Sequence, residues 1–330
     1  MICPVQTFFH SQDFLRTILH AISVFGIPVY VFGGYCVLKK TPTQMKLIRV
    51  AMFNLHFWST TMDLSLGLLT SPFVLLPSMS GVPLGLFSQF NVSVPIQLYV
   101  VFTVMGLTGV GIVHIFENRY NTILLEISNR KAGRRIFLFL NYMLALTYFV
   151  PILLLIPDQQ LAADVLYQRF PCEFDKKRFF VMAVDPYTII FLLLLTLCLF
   201  ETEIVYFVAM LLMKLNGNDR RISERTRSLQ KRLFIAICTQ VTIPTLLMLF
   251  PLAYLITSIL TEYRNQCLTN FSICALSLHG FITTVVMLIV HKPYRDATIK
   301  MFNFSRIFSR KITDSNLNIH NSARFLIVTP

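Results

Sequence analysis

A carboxylate in the middle of a long apolar run is the first residue of this chain that demands a chemical explanation. Asp63 is the only charged residue between Arg49 and Glu117. At the centre of a bilayer such a group costs about 2.5–3.5 kcal/mol on insertion scales, so it marks either a functional site or a fully hydrogen-bonded one. His56, Ser59, Thr60 and Asp63 fall at i, i+3, i+4 and i+7, one face of a helix. That spacing predicts a polar stripe turned into the protein. Two readings follow: a hydrated or cation-holding hub, or a hydrogen-bonded carboxyl that only fixes packing. Glu201 and Glu203 are the next such pair. Two residues apart is about 200° around a helix, so they cannot share one face. The inward one either meets a polar or cationic ligand or closes an interhelical hydrogen bond. His279 adds one more polar group inside an apolar run.

A second set of residues sits where apolar runs end. Glu117, Asn118, Arg119 and Tyr120 close one of them. An Arg is always charged and presents a rigid fork of donors, suited to bridging helices in one state and releasing them in another. Glu117 and Arg119 are at i, i+2, which argues against direct pairing. The plainer reading is an interfacial Arg that anchors its helix. Pro293, Tyr294 and Arg295 close the last apolar run. Pro stops a helix, and Tyr there either hydrogen-bonds into the interior or serves as an interfacial anchor. Pro244, with Pro251 and Pro28, interrupts a helical ladder, as a hinge or as a static kink. The chain has no zinc-protease pair, no phosphate-binding glycine loop and no nucleophile elbow. No enzyme, catalytic residue or cofactor is expected, and the sequence assigns no metal.

The elements that must carry these residues follow from composition. The 330 residues are 55% hydrophobic and 14% charged, with a mean hydropathy of +0.64, against about 25% charged in soluble domains. Charge-poor runs long enough to cross about 30 Å of hydrocarbon lie at about 17–38, 50–76, 94–116, 136–156, 187–213, 233–260 and 268–290. Runs of this length are helices rather than barrel strands. The expectation is an all-α membrane protein, a bundle of seven transmembrane helices. The surplus of 13 positive charges is distributed by loop. Alternate connections and the C-terminal tail hold 23 Lys and Arg, the opposite side 6. The positive-inside rule then puts the N-terminus outside and the C-terminus inside. The same tally makes the basic charge a property of one membrane face and removes nucleic acid as a partner.

Several ordered runs resemble the nematode serpentine chemoreceptors, most closely class H. They are GIPVYVFGGYCVL (26–38), NLHFWSTTMDLSLGLLTSPFVLLP (54–77), GVPLGL (81–86), FENRYN (116–121), TQVTIP (239–244) and HGFITTVVMLIVHKPYR (279–295). The resemblance implies a seven-helix bundle of GPCR type over residues 1–305, followed by a tail at 311–330. It implies a receptor in the plasma membrane of sensory-neuron cilia that detects an environmental small molecule, odorant or pheromone-like, and activates a heterotrimeric G protein. Glu117–Tyr120 and Pro293–Arg295 then look like the signalling switches of rhodopsin-like receptors, with an Asn inserted in the first. Asp63 looks like their sodium-linked hub, and Pro244 like the hinge of the swinging helix. The ligand is expected in the outer half of the bundle, between the third, fifth, sixth and seventh helices. Two other classes compete: a ligand-gated cation channel like insect odorant receptors, whose N-terminus lies inside, and a small-molecule transporter. Ala297, Met301, Phe304 and Phe308 beside basic residues predict an amphipathic helix over about 295–310 on the bilayer surface. Cys3, Cys172 and Cys267 are expected outside, where any one of three pairings is open and Cys172–Cys267 is preferred. Asn91 opens an exterior glycosylation sequon, while Asn270 is too near the membrane for use.

Overall fold

The computed structural model describes residues 7–123, 131–169, 179–217, 224–301 and 303. Helix α1 (Gln12–Lys39) starts where the Ser11 hydroxyl accepts from the Phe14 amide at 3.1 Å, with Asp13 in its first turn and Lys39 in its last, both matched to the helix dipole. Helix α2 (Lys46–Leu64) runs on through a wider π turn, Ser65–Thr70, and stops at Ser71, whose φ of 41° is left-handed. The second span therefore ends about six residues before the expected 76. Pro72 lacks an N–H to continue the ladder, and the apolar Phe73 and Leu75 go instead into a strand, β1 (Pro72–Leu75), as its buried face.

Strand β1 pairs antiparallel with β2 (Ser80–Pro83), and β2 pairs with β3 (Phe180–Val181) from the connection between the fourth and fifth helices. The three strands form a small sheet at one end of the bundle. Helix α3 (Val94–Ile123) follows. Helix α4 (Lys131–Thr147) is interrupted ahead of Pro151 and resumes as the short turn Val150–Leu154. The connection after it, between the expected spans 136–156 and 187–213, holds a further helix, Gln159–Arg169. Asp158 nucleates it by accepting from the Gln160 and Leu161 amides, each at 3.0 Å.

Helices α5 (Tyr187–Asn216) and α6 (Glu224–Leu260) are long, and α6 contains Pro244 and Pro251. The seventh span is broken rather than continuous. Helix α7 (Gln266–Leu276) and helix α8 (His279–Val290) meet at a 42° bend. Residues 292–301 are helical, and the rest of the expected 295–310 segment lies outside the described residues apart from 303.

Among the described residues, five helices are long and apolar enough to cross a membrane, and six when the bent pair counts as one span. The remaining member is α2. It packs against α1, α3 and α8 at once, so little of its surface meets lipid. A helix enclosed by its neighbours can carry His56, Ser59, Thr60 and Asp63 on interior faces.

Candidate functional site

The predicted stripe on α2 is buried, and Asp63 is its centre. One carboxylate oxygen, Oδ1, accepts from the Gly280 amide at 2.8 Å, and Oδ2 accepts from the Phe281 amide at 2.7 Å and from the Tyr30 hydroxyl at 2.8 Å. The two amides belong to the first turn of α8. Asp63 thus caps a helix start from another helix, supplying an acceptor to N–H groups that the break in the seventh span would leave orphaned. The approach is close because residue 280 is glycine: a Cβ there would lie 2.3 Å from the Ser59 carbonyl oxygen and 3.0 Å from the Asp63 carboxyl carbon. His56 extends the seam by joining its Nε2 to the Tyr30 carbonyl at 3.0 Å and its Nδ1 to Thr284 at 3.4 Å. With two amides and a hydroxyl on its oxygens, Asp63 serves as a clasp for α1, α2 and α8. His279 is buried beside it, with its Nδ1 unpaired, as is the Ser59 hydroxyl.

At the far end of α3, the Glu117–Tyr120 run divides its contacts among four helices. Arg119 is 3% exposed and its Nη2 donates to the side-chain oxygen of Gln230 on α6. Glu117 turns the other way and holds the Arg134 guanidinium of α4 at 2.9 Å. Glu117 and Arg119, two residues apart, thus turn to different partners. Asn118, with its amide turned to match donors to acceptors, donates to the Leu47 carbonyl at 3.0 Å and accepts from Arg134 Nη2 at 2.8 Å. Tyr120 packs its ring against Phe207 of α5 at 5.7 Å between centroids. A cleft of about 320 Å³ opens beside the Glu117–Arg134 pair, walled by Tyr120, Phe137 and Phe207.

Tyr294 is fully buried, and its hydroxyl meets Thr41 Oγ1 at 2.8 Å, tying the end of the seventh span to the segment after α1. Pro293 and Arg295 flank it within the helical turn, where Arg295 Nη1 reaches the Ile289 carbonyl at 3.3 Å. His291 lies past the last turn of α8. Burial pushes its imidazole down to about 4, and its Nε2 meets Gln240 Oε1 of α6 at 2.9 Å. Gln240 sits one turn before Pro244, itself buried in α6.

Of the paired glutamates, Glu201 is exposed on the outside of α5 and Glu203 faces Asn141 of α4, whose Nδ2 donates to it at 3.4 Å. The structure gives Glu203 the interhelical hydrogen bond rather than a place in the outer half of the bundle. Among the described residues no cluster of three or more His, Cys, Asp or Glu is arranged to hold a metal. Cys267 lies half-buried in the first turn of α7, and Cys172 lies outside the described residues. Asn91 is exposed in a turn with φ 55°, whereas Asn270 is buried and donates to the Phe9 carbonyl at 2.9 Å. Sequence reasoning did not single out Tyr30, Gln230, Gln240, Thr284 or Arg134 as partners. Each is a neutral or loop-edge residue whose role exists only through a residue far along the chain.

As a bundle of membrane-crossing helices, the chain has the rhodopsin-type receptor fold. Squid rhodopsin superimposes on 92% of this chain and 88% of its own with a TM-score of 0.53 at 14% sequence identity. The sequence narrows the class. Residues 10–304 match the family described as serpentine type 7TM GPCR chemoreceptor Srh, and the chain belongs to that family. A curated relative, serpentine receptor class H-72 of Caenorhabditis elegans, is 24% identical over 306 residues, which cover 88% of this chain and 86% of that one.

Proposed function

We propose that this protein is a G-protein-coupled chemosensory receptor, with the sheet end outside the cell and the Arg119 end in the cytoplasm. A small molecule from the environment binds within the bundle, and a heterotrimeric G protein is activated at the Arg119 end. The observation that carries the reading is the contact between Arg119 and Gln230. It joins α3 to α6 at the end whose connections and tail are rich in Lys and Arg, so opening it would expose a buried, permanently charged guanidinium to a partner. The charge tally of 23 against 6 supports the orientation. Placement in the plasma membrane of sensory cilia follows from family membership by analogy.

The test is a G-protein reporter in cells expressing the receptor. Gln230→Ala is expected to raise basal signalling, and Arg119→Ala to abolish it with surface expression retained. Signalling that both variants leave unchanged would remove the switch from this reading.

A further inference from the structure

The chemical class of the ligand can be read from what the outer half of the bundle offers it. We propose that the ligand is a neutral, lipid-soluble molecule with one or two hydrogen-bonding groups, and that it enters from the bilayer rather than through the sheet end. This rests on the receptor reading and goes beyond it by naming the ligand's chemistry and route.

The first observation concerns charge. Among the described residues, three charged side chains are buried: Asp63, Glu117 and Arg119. The last two belong to the far end, and both oxygens of Asp63 already accept hydrogen bonds. Glu203 is turned to Asn141 between α4 and α5. An ionic ligand within the outer half of the bundle would lose its hydration without meeting a free buried counter-charge among the described residues, a cost of several kcal/mol per ion. Most buried hydroxyls there are spent on their own helices: Ser23 on the Leu19 carbonyl, Thr70 on Ser65, Ser277 on Cys274. The buried polar atoms left unpaired in this half, Thr103 Oγ1, Ser59 Oγ, Gln97 Oε1, His20 Nε2 and His279 Nδ1, belong to hydroxyl, amide and imidazole groups rather than to carboxylates, ammoniums or guanidiniums. They suit a hydroxyl or carbonyl, not an ammonium or a carboxylate.

The second observation is the closure of the outer end. Strands β1, β2 and β3 lie across it with Phe73, Leu75, Met79, Ser80 and Val181 buried beneath. Strand β3 has its free edge sealed by the Gln159 amide, which donates to the Val181 carbonyl at 3.1 Å and accepts from its N–H at 2.9 Å. Strand β1 is held by Gln266 on its Val74 carbonyl at 3.0 Å, and α7 is tied to the N-terminal segment by Asn270 on the Phe9 carbonyl. A route through hydrocarbon is open to the same neutral molecules that the interior suits.

The test uses a series of matched chain length: hexyl to decyl alcohols, ketones, amines and carboxylates, applied to reporter cells. It is paired with a staple, Ser80→Cys with Val181→Cys, positions that face each other across β2 and β3 and so lie within reach of a disulfide. The neutral members are expected to activate, and oxidation of the staple to shift their half-maximal concentration by no more than about twofold. A shift of about tenfold or more that a reducing agent reverses would overturn the bilayer route. Activation by an amine or carboxylate below the concentration of its matched alcohol would overturn the neutral ligand, as would silence of every neutral member while basal signalling persists. Basal signalling and its response to Gln230→Ala need no ligand, so failure of the receptor reading is seen separately.

Discussion

At Gly280 a single methyl group is enough to separate two helices. The Ser59 carbonyl sits 2.3 Å from where a Cβ would stand. Because the obstacle is backbone, Gly280→Ala should destabilise the solubilised receptor by about 1–3 kcal/mol, and trimming Ser59 to Gly should not rescue it. A thermal inactivation assay reads both. Asp63→Asn keeps one acceptor oxygen and loses the charge that complements the start of α8. The expected cost is about 1–2 kcal/mol, with signalling altered as well, measured as melting temperature and as reporter output. A variant indistinguishable from the parent in both would reduce Asp63 to an ordinary packing residue. The need for a satisfied carboxyl at 63 was legible from an Asp alone in an apolar run. Its partners were not, because the amides of Gly280 and Phe281 leave no mark in side-chain sequence.

The broken seventh span is the element-scale feature with most consequence. Ser277 and Leu278 separate α7 from α8, and the orphaned amides of α8 are supplied from α2. Signals for a helix break were weak there, since Gly280 lies inside the run and no Pro precedes it. Helix α6 is the opposite case. Pro244 is plain in the sequence, and the structure places it one turn beyond Gln240, which is latched to His291. If Pro244 is a hinge, loosening the latch just before it should favour the open arrangement. Gln240→Leu is expected to raise basal signalling, read in the same reporter, and Pro244→Ala to lower the maximal response. Unchanged values in both would make Pro244 a static kink.

For the molecule as a whole, charge and burial define two ends with different work. One end has a small sheet, and the other a buried Arg on the side whose connections are rich in Lys and Arg. Orientation of those ends in the membrane is open to direct measurement. With the sheet end outside, Asn91 in its exposed turn should carry glycan, seen as a mobility shift removed by Asn91→Gln, while Asn270→Gln should change nothing because that amide is buried against Phe9. Loss of no shift with Asn91→Gln, together with outward accessibility of an epitope at the C-terminus, would invert the topology and the receptor reading with it.

Sequence by itself determined the class of this protein: apolar runs separated by charge specify crossing helices, because each must satisfy its own backbone in lipid, and ordered motifs carry its family. It also marked Asp63 and Arg119, since a charge beside or within hydrocarbon has few uses. Tertiary structure alone decided what those residues hold. The partners of Asp63 lie 33, 217 and 218 residues away and that of Arg119 lies 111 away. Such contacts depend on which helix faces meet, on a glycine that lets two backbones touch, and on a sheet drawn from two separate connections. Local patterning does not encode any of these, because each arises from packing between segments rather than from the preference of one.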